Sequence, residues 1–141
     1  MKILIVNGPN LDTLGRRETG LYGTKTLEGL QAELTDYCEF EGVDVEFFQS
    51  SIEGEIVNAM NFTDADGIVL NAGAYTHYSI AIRDAVKACG LPVVEVHITN
   101  IFDREDFRNR SLISAVAAGT VSGFGFNSYK LAISALLMSN A

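Results

Sequence analysis

Short β-rich runs alternate with amphipathic helical runs along the 141 residues, and this order constrains the fold more than any other feature. Apolar spacing of two residues is typical of strands, whereas spacing of three to four residues is typical of helices. Strands that alternate with helices favour an α/β protein with a parallel sheet. The predicted strands are residues 2–6, 43–48, 67–70, 92–97 and 119–122. The predicted helices are residues 27–41, 52–60, 79–88 and 128–138, with a short helical turn at 104–108.

The first predicted helix has the clearest pattern, because Leu27, Leu30 and Leu34 recur at helical spacing, Thr26 can cap its start and Gly42 follows its end. Five short strands with helices between them predict a flavodoxin-like, doubly wound, five-stranded parallel sheet with helices on both faces. We expect one domain over residues 1–141. Ligands of such sheets bind beyond the carboxyl ends of the strands, so functional residues should follow each strand.

The charge of the chain limits the classes of molecule that it is expected to bind. A net charge of −8 and a pI near 4.6 disfavour nucleic acid and anionic membranes. Six of the ten basic residues nevertheless lie in two short clusters, which favours a pocket for an anionic small molecule, although solvated loop charge is an alternative. The clusters are Arg16, Arg17 and Lys25, and Arg104, Arg108 and Arg110.

No apolar run approaches the roughly 20 residues that span a bilayer, and residues 1 and 2 lead directly into a predicted strand. These features predict a soluble, cytoplasmic protein.

Polar segments follow three of the predicted strands, at residues 7–10, 71–77 and 97–100. Each alone could be turn chemistry, because Asn, Gly and Pro are the ordinary residues of tight turns. The carboxyl ends of parallel strands meet at one edge of a sheet, so we expect the three segments to converge into a site.

Glu95 and His97 lie on the same face of one predicted strand, since side chains alternate along a strand. A carboxylate beside an imidazole can raise the pKa of the imidazole and hold its orientation, as a general acid requires. We interpret His97 as a catalytic acid; a structural histidine is the alternative.

His77 and Asp84 are seven residues apart across a predicted helix start, which would place them on one helical face. This position suits a neutral His77 that hydrogen-bonds a ligand. Two histidines without a third ligand at metal-site spacing argue against a metal centre.

The longest irregular segment, residues 7–25, is typical of a lid or binding loop. It contains Tyr22 between two glycines, and Arg17 lies five residues earlier. A tyrosine titrates near 10, so it acts as a base at neutral pH only where a cation such as Arg17 stabilises the phenolate. A surface tyrosine in a turn is the alternative.

These segments together resemble the type II 3-dehydroquinate dehydratases, in order and spacing along nearly the whole chain. The matching motifs are NGPNL at 7–11, GRRE at 15–18 with Tyr22, FFQS at 47–50, NAGAYTH at 71–77, VEVH at 94–97 with Asn100, Arg104 and Arg108, and GFG at 123–125. The resemblance implies a flavodoxin-like fold, a cofactor-independent and metal-free trans-dehydration of 3-dehydroquinate to 3-dehydroshikimate, and a dodecamer built from trimers. It also implies the shikimate pathway of aromatic amino acid biosynthesis, or quinate breakdown by the same reaction.

The resemblance implies a role for each matched residue. Tyr22 is similar to the base, with Arg17 lowering its pKa, and His97 is similar to the acid, with Glu95 orienting it. Asn10 corresponds to a residue that holds a water near the enolate oxygen. The implied substrate contacts are Asn71, His77 and Arg108 on hydroxyls, Ile98 and Thr99 on the carboxylate, and Asp84 at the site of a neighbouring subunit. The sequence departs from the family pattern at Thr19, Thr99, Phe102, Asn109 and Ala115.

Two rival interpretations come from other classes of protein. A flavin- or nucleotide-binding module would have a first loop rich in Ser, Thr and Gly, whereas this loop has Asn, Pro, Arg and Tyr. A phosphorylation receiver needs an acceptor aspartate where the third strand ends in Asn71.

Overall fold

A computed structural model describes residues 1–16, 20 and 25–139 of the chain. In these residues five parallel strands form one sheet in the order β2-β1-β3-β4-β5. The strands are β1 Lys2–Asn7, β2 Asp44–Gln49, β3 Gly67–Asn71, β4 Val93–His97 and β5 Gly119–Ser122. Because β1 lies inside the sheet, the chain winds outward from it in both directions.

Helices cover both faces of the sheet and bury a separate apolar cluster on each. The helices are α1 Leu27–Glu41, α2 Glu53–Asn61, α3 Ile80–Ala88 and α4 Asn127–Ser139. Helices α1 and α4 bury Leu30, Leu34 and Ile133 against one face. Helices α2 and α3 bury Ile56 and Ile82 against the other. The prediction of a flavodoxin-like, doubly wound sheet is confirmed.

Local signals fix the ends of two helices. The Thr26 hydroxyl accepts a hydrogen bond from the Gly29 N–H at 3.1 Å, and Gly42 takes the left-handed conformation after the last turn of α1. The Ser79 hydroxyl accepts from the Ile82 N–H at 3.0 Å and so starts α3. Helix α1 therefore has the bounds that the sequence predicts.

Bounds of several other elements differ from prediction by one residue, and the differences that concern the site lie at the carboxyl edge of the sheet. Strands β1 and β3 each run one residue further than predicted, because Asn7 and Asn71 pair with each other in the parallel ladder. The predicted turn at residues 104–108 is two 3₁₀ turns, Ile101–Asp103 and Asp106–Arg108.

The prediction that His77 and Asp84 share one helical face is wrong. His77 ends a separate 3₁₀ helix, Gly73–His77, and α3 begins only at Ile80. The two side chains therefore belong to different helical segments. In the part of the chain that the structure describes, no helix is long and apolar enough to cross a membrane.

Candidate active site

A cavity of about 120 Å³ lies beyond the carboxyl ends of β1, β3 and β4. The three polar segments that follow these strands converge on it, as predicted. Its walls also carry two arginines from the 3₁₀ turns after β4. The lining residues are Pro9, Asn10, Leu11, Asn71, Gly73, Ala74, His77, His97, Ile98, Thr99, Ile101, Arg104 and Arg108.

The segments after β1 and β3 are in close backbone contact, which fixes one wall of the cavity. The Gly8 N–H donates to the Asn71 carbonyl at 2.8 Å, and a Cβ on Gly8 would lie 2.5 Å from the Ala72 carbonyl oxygen. Real Cβ atoms do not approach backbone this closely, so this position requires glycine. Asn10, two residues on, has a φ of 66°, a left-handed conformation that asparagine tolerates better than most residues. The sharp turn directs the chain around the mouth of the cavity.

Glu95 and His97 form a buried pair at the end of β4. His97 Nε2 lies 2.5 Å from Glu95 Oε2, and the residues are 6% and 1% exposed. The pair results from the alternation of side chains along a strand, since both point to one face. With Nε2 engaged by the carboxylate, Nδ1 is the ring nitrogen left to exchange a proton with a ligand.

Three hydroxyl groups hold the Glu95 carboxylate from behind. Ser111 donates to Oε2 at 2.7 Å, Ser114 donates to Oε1 at 2.5 Å, and the Thr120 hydroxyl lies 3.3 Å from Oε1. Burial alone would raise the pKa of Glu95, but the His97 imidazole and the serine hydroxyls outweigh it and hold that pKa below its usual value. Glu95 is therefore held as an anion beside the His97 ring.

His77 is placed to accept a hydrogen bond. Its Nδ1 lies 2.7 Å from the Arg110 carbonyl oxygen, which can only accept, so Nδ1 carries the hydrogen. Burial lowers the pKa of His77, and the nearby cationic groups of His97, Arg108 and Arg104 lower it further. The imidazole is therefore neutral at physiological pH, and its Nε2 has a lone pair for a ligand hydroxyl.

Asn71 lines the cavity with an amide whose orientation is set by two neighbours. Its Oδ1 accepts from the Gly73 N–H at 3.1 Å, and its Nδ2 donates to the Tyr129 hydroxyl at 2.9 Å. One Nδ2 hydrogen remains for the cavity. Asn71 and His77 thus provide one donor and one acceptor for neighbouring hydroxyl groups.

The arginines give the cavity a positive wall in an acidic protein. Arg108 forms an ion pair with Glu105, and its guanidinium carbon lies 4.7 Å from the centre of the Phe107 ring. Arg104 lines the same wall. Arginines that line a small cavity suit an anionic ligand.

The structure brings together most of the side chains that the sequence singles out. Glu95 lies behind His97, and Asp84 is exposed on α3 and does not line the cavity of its own chain. Arg17 and Tyr22 lie outside the described residues. The predicted residues at the cavity are Asn10, Asn71, His77, His97, Ile98, Thr99 and Arg108.

The supporting residues Ser111, Ser114, Thr120 and Tyr129 are absent from the sequence predictions. Thr120 pairs with Glu95 across the β4–β5 ladder, so its contact could be found once that strand pairing is known. The serines and Tyr129 reach the site from distant segments, and no local pattern signals them.

Within residues 1–16, 20 and 25–139, no group of three or more His, Cys, Asp or Glu side chains could hold a metal ion.

The fold and this cavity define a flavodoxin-like α/β protein with a buried glutamate–histidine pair at a positively charged ligand site. Residues 1–137 match the family model "Dehydroquinase class II", and the chain belongs to that family of hydro-lyases. It is 50% identical over 138 residues to the 3-dehydroquinate dehydratase of Nitratiruptor sp., covering 96% of this chain and 88% of that protein. The corresponding Bacillus cytotoxicus protein is 51% identical over 138 residues, covering 96% and 94%. The crystal structure of type II dehydroquinase from Butyrivibrio crossotus superposes with a TM-score of 0.94 at 44% identity, covering 97% of each chain.

Proposed function

We propose that this enzyme converts 3-dehydroquinate to 3-dehydroshikimate by a metal-free trans-dehydration through an enolate. The observation that supports this most directly is the buried Glu95–His97 pair beside a positively charged cavity, in a member of the class II dehydroquinases. The substrate is an anionic, polyhydroxylated ketone. It needs a cationic wall, hydroxyl partners and a proton donor, and the cavity has side chains suited to each requirement.

The first step is removal of a proton next to the ketone. We assign it to Tyr22, with Arg17 stabilising the phenolate, on the basis of the sequence motifs. An enolate develops as the proton leaves, and preorganised hydrogen-bond donors lower the energy of such an oxyanion. Asn10 at the cavity mouth holds a water that donates to the enolate oxygen.

The second step is loss of the hydroxyl group, which leaves readily only when it is protonated. We assign the acid to His97. Its Nε2 is held by an anionic Glu95, so the protonated ring delivers its proton from Nδ1. The carboxylate fixes the plane of the His97 ring.

Binding of the remaining groups follows from the donors and acceptors of the cavity. Asn71 donates to one ring hydroxyl, neutral His77 accepts from another, and Arg108 supplies a further charged donor. The backbone of Ile98 and Thr99, with the Thr99 hydroxyl, receives the substrate carboxylate.

The proposal extends to the assembly and setting of the enzyme. We expect a single dehydroquinase domain over residues 1–141, acting in the cytoplasm in the shikimate pathway, and a dodecamer of trimers. Asp84 is exposed on α3, and this position is compatible with its reaching the cavity of a neighbouring copy. A solution mass of twelve times the 15.3 kDa chain, measured by light scattering, would support the assembly, and a monomer would contradict it.

The activity is tested by the rise in ultraviolet absorbance as 3-dehydroquinate becomes a conjugated enone. Purified protein is assayed untreated, after a chelator and after borohydride. A rise that survives both treatments, and falls at least ~10²-fold in His97→Ala, supports the proposal. Folded wild-type protein that gives no rise would overturn the activity, whereas a rise abolished by the chelator would overturn the metal-free mechanism.

A further inference from the structure

Tyr129 is a fully buried phenol in α4 that makes two side-chain hydrogen bonds to the ends of two strands. Its hydroxyl donates to Asn7 Oδ1 at 2.6 Å and accepts from Asn71 Nδ2 at 2.9 Å. Tyr129 is 0% exposed, so it cannot touch a ligand. Its two partners, however, stand side by side in the β1–β3 ladder, and Asn71 lines the cavity.

The Gly73 N–H fixes the donor and acceptor roles along the hydrogen-bonded series of Gly73, Asn71, Tyr129 and Asn7. The Gly73 N–H can only donate, so the Asn71 atom facing it is Oδ1 and the atom facing Tyr129 is Nδ2. The phenol oxygen accepts that Nδ2 hydrogen, and its own hydrogen goes to Asn7. Burial raises the pKa of Tyr129, so the phenol keeps its hydrogen at any physiological pH.

The Asn7 amide is only partly hydrogen-bonded. Its Oδ1 faces the phenol, and its buried Nδ2 has no hydrogen-bond partner among the described residues. If the Asn7 amide were flipped, its Nδ2 would donate to the phenol oxygen. The phenol hydrogen would then have no acceptor, because the other neighbouring atom, Asn71 Nδ2, can only donate. An unpaired buried amide N–H is unfavourable. The phenol therefore keeps its hydrogen bond to Asn7 Oδ1 at the cost of an unpaired Nδ2 on Asn7.

We propose that Tyr129 is a positioning residue that, together with the Gly73 N–H, holds the Asn71 amide so that its second Nδ2 hydrogen stays directed at a hydroxyl of the bound ligand. The Gly73 N–H decides which end of the amide is the oxygen, and the Tyr129 hydroxyl restrains rotation of the nitrogen end. With Tyr129 removed, the amide loses a partner and the donor is no longer held toward the cavity. The identity of the hydroxylated ligand rests on the proposed function. The orientation of the Asn71 amide does not, because it follows from the hydrogen bonds to Gly73 and Tyr129.

The matched control is Tyr37. Its hydroxyl lies 2.5 Å from Ser134 Oγ, so it also joins a tyrosine to α4, and neither residue lines the cavity. Tyr129→Phe and Tyr37→Phe each remove one phenol oxygen from contacts that involve the same helix. A general weakening of α4 would therefore affect both variants.

The first experiment measures KM and kcat for 3-dehydroquinate in both variants and in the Asn71→Ala background. We expect Tyr129→Phe to raise KM about tenfold with a smaller change in kcat, and Tyr37→Phe to change KM less than about twofold. In Asn71→Ala, the further effect of Tyr129→Phe on KM should disappear, because the amide that it positions is gone. An equal rise in KM from Tyr129→Phe in both backgrounds would overturn the inference.

The second experiment does not depend on turnover. Side-chain amide hydrogen exchange of Asn71, followed by ¹⁵N–¹H NMR, should be slow in the wild type and in Tyr37→Phe and fast in Tyr129→Phe. Unchanged protection in Tyr129→Phe would overturn the inference even if the enzyme is active. Inactive wild-type protein with the expected loss of protection would instead refute the proposed function while supporting the positioning role.

Discussion

The Ser114 hydroxyl lies 2.5 Å from Glu95 Oε1, although 19 residues separate them in the chain. Ser111 and His97 engage the other carboxylate oxygen. Hydrogen bonds that favour the charged form lower the pKa of a carboxyl group. The loop after Arg110 therefore acts on the acid pair without reaching the ligand.

Ser114→Ala should move the acid-side decline of kcat to higher pH. Removing a donor raises the pKa of Glu95, so its carboxylate is protonated at a less acidic pH and His97 loses its anionic partner sooner. We also expect kcat at neutral pH to fall about 3- to 10-fold, on the scale of one lost hydrogen bond. The measurement is a pH–rate profile beside Ser134→Ala, whose hydroxyl contacts Tyr37 instead. Superimposable acid limbs in the two variants would contradict this role.

His77 should make the folded protein less stable as the pH falls below 6.5, the ordinary value of its pKa. Its pKa is lowered in the folded state, so the unfolded chain binds the proton more readily, and stability present above 6.5 is lost as the pH falls through the folded value. Urea unfolding at several pH values should show a midpoint gap between wild type and His77→Asn that narrows with acidification. A gap of constant size would refute the assignment.

Gly8→Ala should destabilise the protein by about 1–3 kcal/mol, the range for overpacking, and should lower activity. The added Cβ would meet the Ala72 carbonyl at 2.5 Å, and backbone on the next loop would have to shift. Gly54→Ala is the control, because Gly54 is an exposed helical position with open space around its Cβ, where alanine should stabilise. Equal unfolding midpoints for the two variants would argue against close loop packing.

Tyr22→Phe and Arg17→Ala should each lower turnover by at least ~10²-fold, the scale of a lost general base, while the fold is unchanged. Lys130→Ala is the control for loss of a cation, since Lys130 lies on α4 and its ammonium is 3.9 Å from Glu33. Circular dichroism establishes that each variant is folded before kinetics are compared. Near-normal turnover in either loop variant would remove Tyr22 and Arg17 from the mechanism.

Local sequence patterns were enough to predict the order of elements, because the central strands are short, buried runs and α1 has its apolar residues at helical spacing. They also placed Glu95 beside His97, since strand alternation is a property of adjacent residues. They failed for His77, because a 3₁₀ segment of five residues has no periodic signature that separates it from the following helix. The Tyr129 contacts could not be predicted, because they join residues 58 and 122 positions apart, and only the completed sheet brings them together.

Because of the Tyr129 hydrogen bonds, the positioning of the Asn71 donor also depends on the order in which the residues are synthesised. Asn7 and Asn71 precede α4, Asn127–Ser139, in the chain and are therefore synthesised before it. A nascent chain can pair β1 with β3 before α4 exists, but its Asn71 amide then has no phenol to hold it. During synthesis the Asn71 amide therefore has only the Gly73 N–H to hold it until Tyr129 is made and α4 docks on the sheet.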